Sequence, residues 1–200
     1  MSASSKPHPR TKPPEERRAE LMHAAERLFL RNGIAATTIE QITTTAHVAK
    51  GTFYLYFSSK DDVLAALRVH FAQDLLQTIK NAVDGQKSWP DKLSAWASAG
   101  VSGYIDAIRL HDILFYASSP PTREGLVDNI IIDHLIGILQ NGVKAKAWSV
   151  DDARSTAVFL FSGLHGIVDD AYRSSKRVQR EPLARRLQVL CLRTVGLSGD

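Results

Sequence analysis

Residues 36–64 read ATTIEQITTTAHVAKGTFYLYFSSKDDVL. Thr38, with Gln41 three residues on, has the spacing of a capping box and opens a short helix running to about Ala46. A few turn residues follow, and a second short helix is expected over roughly Ala49 to Phe57. Ser59 then caps a longer helix whose first turn carries Asp61 and Asp62, the charge that a helix N-terminus favours. Phe53 and Phe57 are four residues apart and should pack inward, which turns Lys50, Thr52, Tyr54 and Tyr56 outward. Two short helices across a tight turn form a helix-turn-helix, and the second can lie in a DNA major groove. Thr52, Tyr54 and Tyr56 offer hydroxyls for phosphates or base edges, and Lys50 and Lys60 bracket the helix with positive charge. Gly51, lacking a Cβ, allows a close approach.

Upstream of this stretch, Leu21, Met22, Ala25, Leu28 and Phe29 fall on one helical stripe that Gly33 closes. Residues 1–14 combine four prolines with Lys6, Arg10 and Lys12 and no acidic residue. Such a segment buries too little apolar surface to offset its ordering entropy, so a disordered basic arm is expected there. Downstream, helical periodicity covers about 60–82, 90–110, 111–118, 122–140, 151–173 and 182–196. Breaks are expected at 118–122, Asn141–Gly142 and 173–180. No segment alternates with period two, so no strand is expected. The fold class is all-α, with a three-helix domain over 15–60 and a helical body over 61–200.

The chain has 200 residues and a net charge of +4. Residues 1–60 hold nine Lys or Arg against five Glu, whereas the remaining 140 hold sixteen basic and sixteen acidic residues. The whole excess therefore lies in the first third, as a polyanion-binding module joined to a neutral body would have it. The single cysteine, Cys191, excludes an internal disulfide. No apolar run approaches a membrane span, and no apolar segment follows the basic N-terminus as a secretory signal requires, so a cytoplasmic protein is expected. The sequence lacks the GxSxG, HExxH, P-loop and GxGxxG signatures, and neither an enzyme nor a cofactor is expected. His165 and Asp169, four residues apart, could share a metal with His134. The alternative is a hydrogen-bonded histidine near a dimer interface, and no metal site is assigned.

The run AAERLF, a glycine, TTIEQIT and then A.VAKGTFYLYFSSKDDVL resembles the DNA-binding domain of the tetracycline-repressor (TetR) family over about residues 18–66. The resemblance implies that the second motif helix reads an operator through Lys50, Gly51, Thr52, Tyr54, Leu55 and Tyr56. It implies phosphate contacts at Thr38 and Lys60. Two positions depart from the family pattern: His47 stands where a turn glycine is usual, and Ala49 where a capping serine is common. The family's C-terminal part holds a ligand cavity and a dimer interface made by its last two helices.

The sequence supports such a body independently. Residues 151–173 are apolar on more than one face and carry a small-residue patch at Ser162, Gly163 and Gly166. Leu160, Ile167, Leu187 and Leu190 complete the expected dimer surface. Trp96, Tyr104, Phe115, Tyr116, His134, Ile138, Phe159 and His165 are the expected lining of a pocket for a small, mostly apolar effector. The expected partners are a double-stranded DNA operator, that effector and a second copy of the chain, with no membrane. Two other readings compete: a constitutive or activating DNA-binding regulator of the same fold without a cavity, and a metal-dependent helical enzyme.

Overall fold

The computed structural model describes residues 12–115, 129–174 and 178–198, which are helical with no strand among them. Two compact units meet at the Leu67–Arg68 peptide.

In the first unit, α1 (Pro14–Asn32) starts on a proline, carries Glu15 and Glu16 in its first turn and ends with Arg31. Each of these choices suits the helix ends. Its Leu21, Ala25, Leu28 and Phe29 are buried on one stripe. Lys12 and Arg17 both pair with Glu20, so the end of the expected arm is tied to α1. The rest of the arm lies outside the described residues. Gly33 has φ 80, a conformation that side chains resist, and its N–H bonds Phe29 O at 2.9 Å. The helix α2 (Ile39–Thr45) opens on the full capping box: Gln41 N donates to Thr38 Oγ1 at 3.2 Å, and Thr38 N donates to Gln41 Oε1 at 2.9 Å. After the turn comes α3 (Lys50–Tyr54). It is shorter than the expected Ala49–Phe57, and Phe57 continues as a turn whose N–H reaches Phe53 O at 3.0 Å.

The fourth helix, α4 (Lys60–Asp84), belongs to both units. Val63, Leu64 and Leu67 in its first two turns are buried. Ser59 Oγ accepts from Asp62 N at 3.2 Å, as its capping position demands.

The second unit adds α5 (Trp89–Asp106), α6 (Ile108–Phe115), α7 (Ile130–Lys144), α8 (Ala153–Ser174) and α9 (Arg180–Thr194). Ser88 caps α5, and Asn129 caps α7 by accepting from the N–H groups of Ile131 and Ile132. Leu93, Trp96, Leu135, Leu139, Leu160, Leu164, Leu187 and Cys191 form its core. A Cβ on Gly100 would stand 2.6 Å from Leu164 Cδ1, so glycine lets α5 and α8 come this close. Gln188 of α9 donates to Ser98 Oγ of α5 at 2.6 Å, and Arg180 pairs with Asp106.

Two boundaries in the second unit differ from expectation. The first long helix breaks at Ala107 rather than after residue 110. The start expected at 122 for the next helix lies outside the described residues. Its end is a correction: the helix runs through Asn141–Gly142 to Lys144, and the turn falls at Lys146, φ 57. Gly142 is there for packing, since a Cβ would stand 2.0 Å from Trp148 Cζ2.

Candidate functional site

The first unit presents one polar surface on a buried support. Phe53 and Phe57 are buried with ring centroids 5.8 Å apart, and the Arg18 guanidinium lies 5.0 Å over the Phe57 ring. Fixing those two rings turns Lys50, Gly51, Tyr54 and Leu55 to solvent, with Thr52 and Tyr56 half-buried beside them. A Cβ at Gly51 would meet nothing within 4 Å, so no internal packing requires glycine there. His47 holds the turn at φ 54, a region that histidine enters more readily than most residues. Ala49, at the N-cap of α3, provides no side-chain cap. Thr38 is exposed; its oxygen accepts within the capping box, and its O–H remains able to donate outward.

Lys60 is a correction. Its Nζ donates to Ile34 O at 2.5 Å and to Thr37 O at 2.9 Å, clamping the α1–α2 connection. An ammonium has three donors, and the third faces Ala35 O at 3.5 Å, so this cation is engaged inside the unit instead of extending as a free phosphate ligand.

The expected pocket residues of the second unit separate into three groups. Tyr104, Phe115 and His165 come together around His111, a residue that the sequence reading passed over. The Tyr104 and Phe115 rings lie 4.5 and 4.8 Å from the His111 ring, and His165 lies 4.7 Å from Tyr104. Phe71 packs against the same imidazole, and Tyr104 Oη donates to Asp169 Oδ1 at 2.9 Å. Burial, with the neighbouring His165 adding to it, pushes the His111 pKa down to about 3. The ring is therefore neutral, and the 3.8 Å approach of Asp112 to its Nδ1 is no ion pair. Burial also lowers the His165 pKa, against the opposing influence of its contact with Phe161 O. Burial and then Asp169 raise that of Asp112. The signal for His111 was weak: one histidine four residues before Phe115 on a short helix.

Trp96, His134 and Ile138 form the second group. Trp96 and Ile138 belong to the core, while His134 is half-buried. Trp96 Nε1 and His134 Nδ1 are buried and meet no hydrogen-bond partner among the described residues. Burial and then Lys80 lower the His134 pKa, and Asp84 opposes them. These neighbours differ from those of His165 and Asp169, and among the described residues no three ligating side chains are placed to hold a metal.

Phe159 forms the third group alone and is a correction. It is 66% exposed, on the face of α8 that carries Ser162, Gly163 and Gly166. Tyr116 lies outside the described residues.

The expected dimer surface also divides. Leu160 and Leu187 are buried within the protomer and have no face to offer a partner, a further correction. Ser162, Gly166 and Leu190 are exposed, and Gly163 and Ile167 are half-buried. Helical spacing separates the two sets on α8: Ala157, Leu160, Leu164 and Val168 face the core, so residues 159, 163 and 166 point away from it.

Residues 21–67 match the family model described as bacterial regulatory proteins, tetR family. The chain is 34% identical over 111 residues to the HTH-type transcriptional regulator HbdR of Aromatoleum sp. (strain CIB), covering 54% of this chain and 47% of that protein. It is 36% identical over 72 residues to the HTH-type transcriptional regulator TtgR of Pseudomonas putida, covering 35% and 34% respectively. These alignments span less than half the length of either relative. Over the longer range the likeness is one of fold. The fatty acid degradation regulator FadR from Bacillus halodurans superposes with a TM-score of 0.73 at 20% identity, over 92% of this chain and 97% of that one. A regulatory protein in the tetR family from Rhodococcus RHA1 gives 0.69 at 22% identity, over 92% and 98%. Residues 21–67 thus carry the DNA-binding region of the tetR family of bacterial regulatory proteins, on a helical fold similar to that of its members.

Proposed function

We propose that this chain is a ligand-responsive transcriptional repressor that binds a palindromic operator as a homodimer in the cytoplasm and is released by a small, mostly apolar effector. The observation that carries the reading is the outward surface of α3. Lys50, Gly51 and Tyr54 lie open to solvent above buried Phe53 and Phe57. Lys50 supplies charge for the phosphate backbone, the hydroxyls of Thr52, Tyr54 and Tyr56 supply hydrogen bonds, and Gly51 leaves room for a base edge. Thr38 adds an outward O–H at the start of α2. In this reading the Lys60 side chain acts indirectly, by holding the loop that positions Thr38.

Effector binding is supported by the unpartnered Trp96 Nε1 in the core of the second unit. A buried donor without an acceptor costs on the order of 1–3 kcal/mol, and a bound molecule with an acceptor would relieve that cost. The half-buried His134, with Lys80 and Asp84 as its charged neighbours, is a second polar group in this unit. For release, the effector must favour one conformation over the other; a tenfold loss of operator affinity needs about 1.4 kcal/mol of differential binding. Because α4 is covalently common to both units, displacement of its later turns has a route to the helix start at Lys60.

Footprinting on the DNA upstream of the chain's own coding sequence, with and without candidate effectors, tests the reading. Lys50→Ala should weaken binding to all sequences alike and reduce the slope of log affinity against log salt by about one unit. A protein that protects no DNA, or a Lys50→Ala variant with unchanged affinity and slope, would count against it.

A further inference from the structure

We propose that Leu55 is a specificity-determining residue that reads the C5-methyl group of a thymine in the major groove, so that each half-site requires a thymine at one position. The inference rests on the DNA-binding reading above and goes further by assigning a base. Single exposed leucines are common on protein surfaces, but this one has a particular setting. Leu55 is 79% exposed, more than any other large apolar residue among the described residues. It is the C-cap of α3 with φ −75 and ψ −21, and its N–H is bonded back to α3, so its backbone is fixed. Its neighbours are polar or small: Tyr54 is exposed, and Tyr56 and Thr52 are half-buried. Gly51 precedes it by four residues, one helical turn, and a Cβ there would meet nothing within 4 Å. The outward face of α3 is therefore an apolar tip standing beside an open step, with Lys50 exposed at its edge.

The chemistry of the groove selects the occupant. Base edges in the major groove present N7, O6, O4 and amino groups, none of which an isobutyl side chain can hydrogen-bond. The apolar group among them is the thymine methyl. The flanking lysine and hydroxyls suit phosphates and base edges, which favours nucleic acid over an apolar protein surface on this face.

The test begins with selection of binding duplexes from a random library by the full-length protein. Each thymine of the selected site is then replaced singly by deoxyuridine, which removes the methyl and nothing else. One thymine per half-site should prove sensitive, with binding weakened about fourfold, the worth of one buried methyl. Leu55→Ala should bind the thymine and deoxyuridine duplexes within about 1.5-fold of each other, because a pairwise contact vanishes when either partner is removed. Exposure of Leu55 means the variant keeps its fold, checked by an unchanged melting curve. Wild-type protein indifferent to every deoxyuridine, or a sensitivity that survives in Leu55→Ala, overturns the inference while leaving DNA binding intact. Failure to enrich any sequence removes the DNA-binding reading, and this inference with it.

Discussion

At the scale of single residues, the second unit turns on His111. An imidazole packed against Phe71, Tyr104 and Phe115 is held neutral by burial, with a pKa of about 3. In the unfolded chain the same ring takes a proton near pH 6.5. As pH falls below 6.5 the unfolded state therefore binds a proton that the folded state refuses, and stability drops. The stabilisation is complete above pH 6.5 and is lost progressively towards pH 3, at up to about 1.4 kcal/mol per pH unit for this one group. His165 and His134 are shifted in the same direction and steepen the decline. Asp112, shifted upward, works against it once carboxylates begin to protonate. Melting temperatures should fall between pH 7 and pH 5, and His111→Phe should flatten that dependence while preserving the ring packing. A variant whose profile matches the wild type would show that His111 is not the neutral, buried group described.

At the scale of elements, Gly142 shows how a residue that sequence reads as a terminator can be an internal packing site. Trp148 folds back after the Lys146 turn, donates Nε1–H to Leu139 O at 2.9 Å, and lays its six-membered ring where a Gly142 Cβ would be. Gly142→Ala should raise helix propensity by up to about 1 kcal/mol yet destabilise the protein by about 1–3 kcal/mol net through overpacking. Chemical denaturation decides between the two effects, and a stabilised variant would reject the packing account. The same contrast explains what was legible beforehand. The helix-turn-helix is written in local terms: the Thr38–Gln41 box, the His47 turn, the Phe53 and Phe57 pair and the Ser59 cap each depend on neighbours within a few residues. Fold class was readable for the same reason. Lys60 was not, because its acceptors are carbonyls 23 to 26 residues earlier. Nor were the surroundings of His111 or the outward direction of Phe159, since helical spacing defines faces without saying which face a distant helix will cover.

At the scale of the whole molecule, the proposed homodimer covers the outer face of α8 with a definite geometry. Phe159 stands 66% exposed, and seven residues later Gly166 lies on the same face with nothing within 4 Å of a Cβ. Beside Gly166 runs a groove of about 490 Å³ lined in part by Ile167, Asp170, Leu183 and Arg186, between α8 and α9. A twofold axis makes such a surface self-complementary: a ring projecting from one protomer meets a hollow on the other, and the contact repeats in reverse. Exposed Leu190 of α9 extends the apolar area, whereas Leu160 and Leu187 serve only the protomer's own core. Gly166→Leu separates assembly from folding. Within a protomer the added side chain meets open space and replaces a poor helix former, so the melting of isolated subunits should rise slightly, by up to about 1 kcal/mol. Across the proposed interface the same side chain fills the hollow that the partner's ring would enter. Sedimentation should then show a shift towards monomer, and tight operator binding should be lost because one recognition helix can no longer support the other. An undisturbed dimer would place the interface on another face of the second unit. A monomeric variant with full operator affinity would instead dissociate DNA recognition from dimerisation.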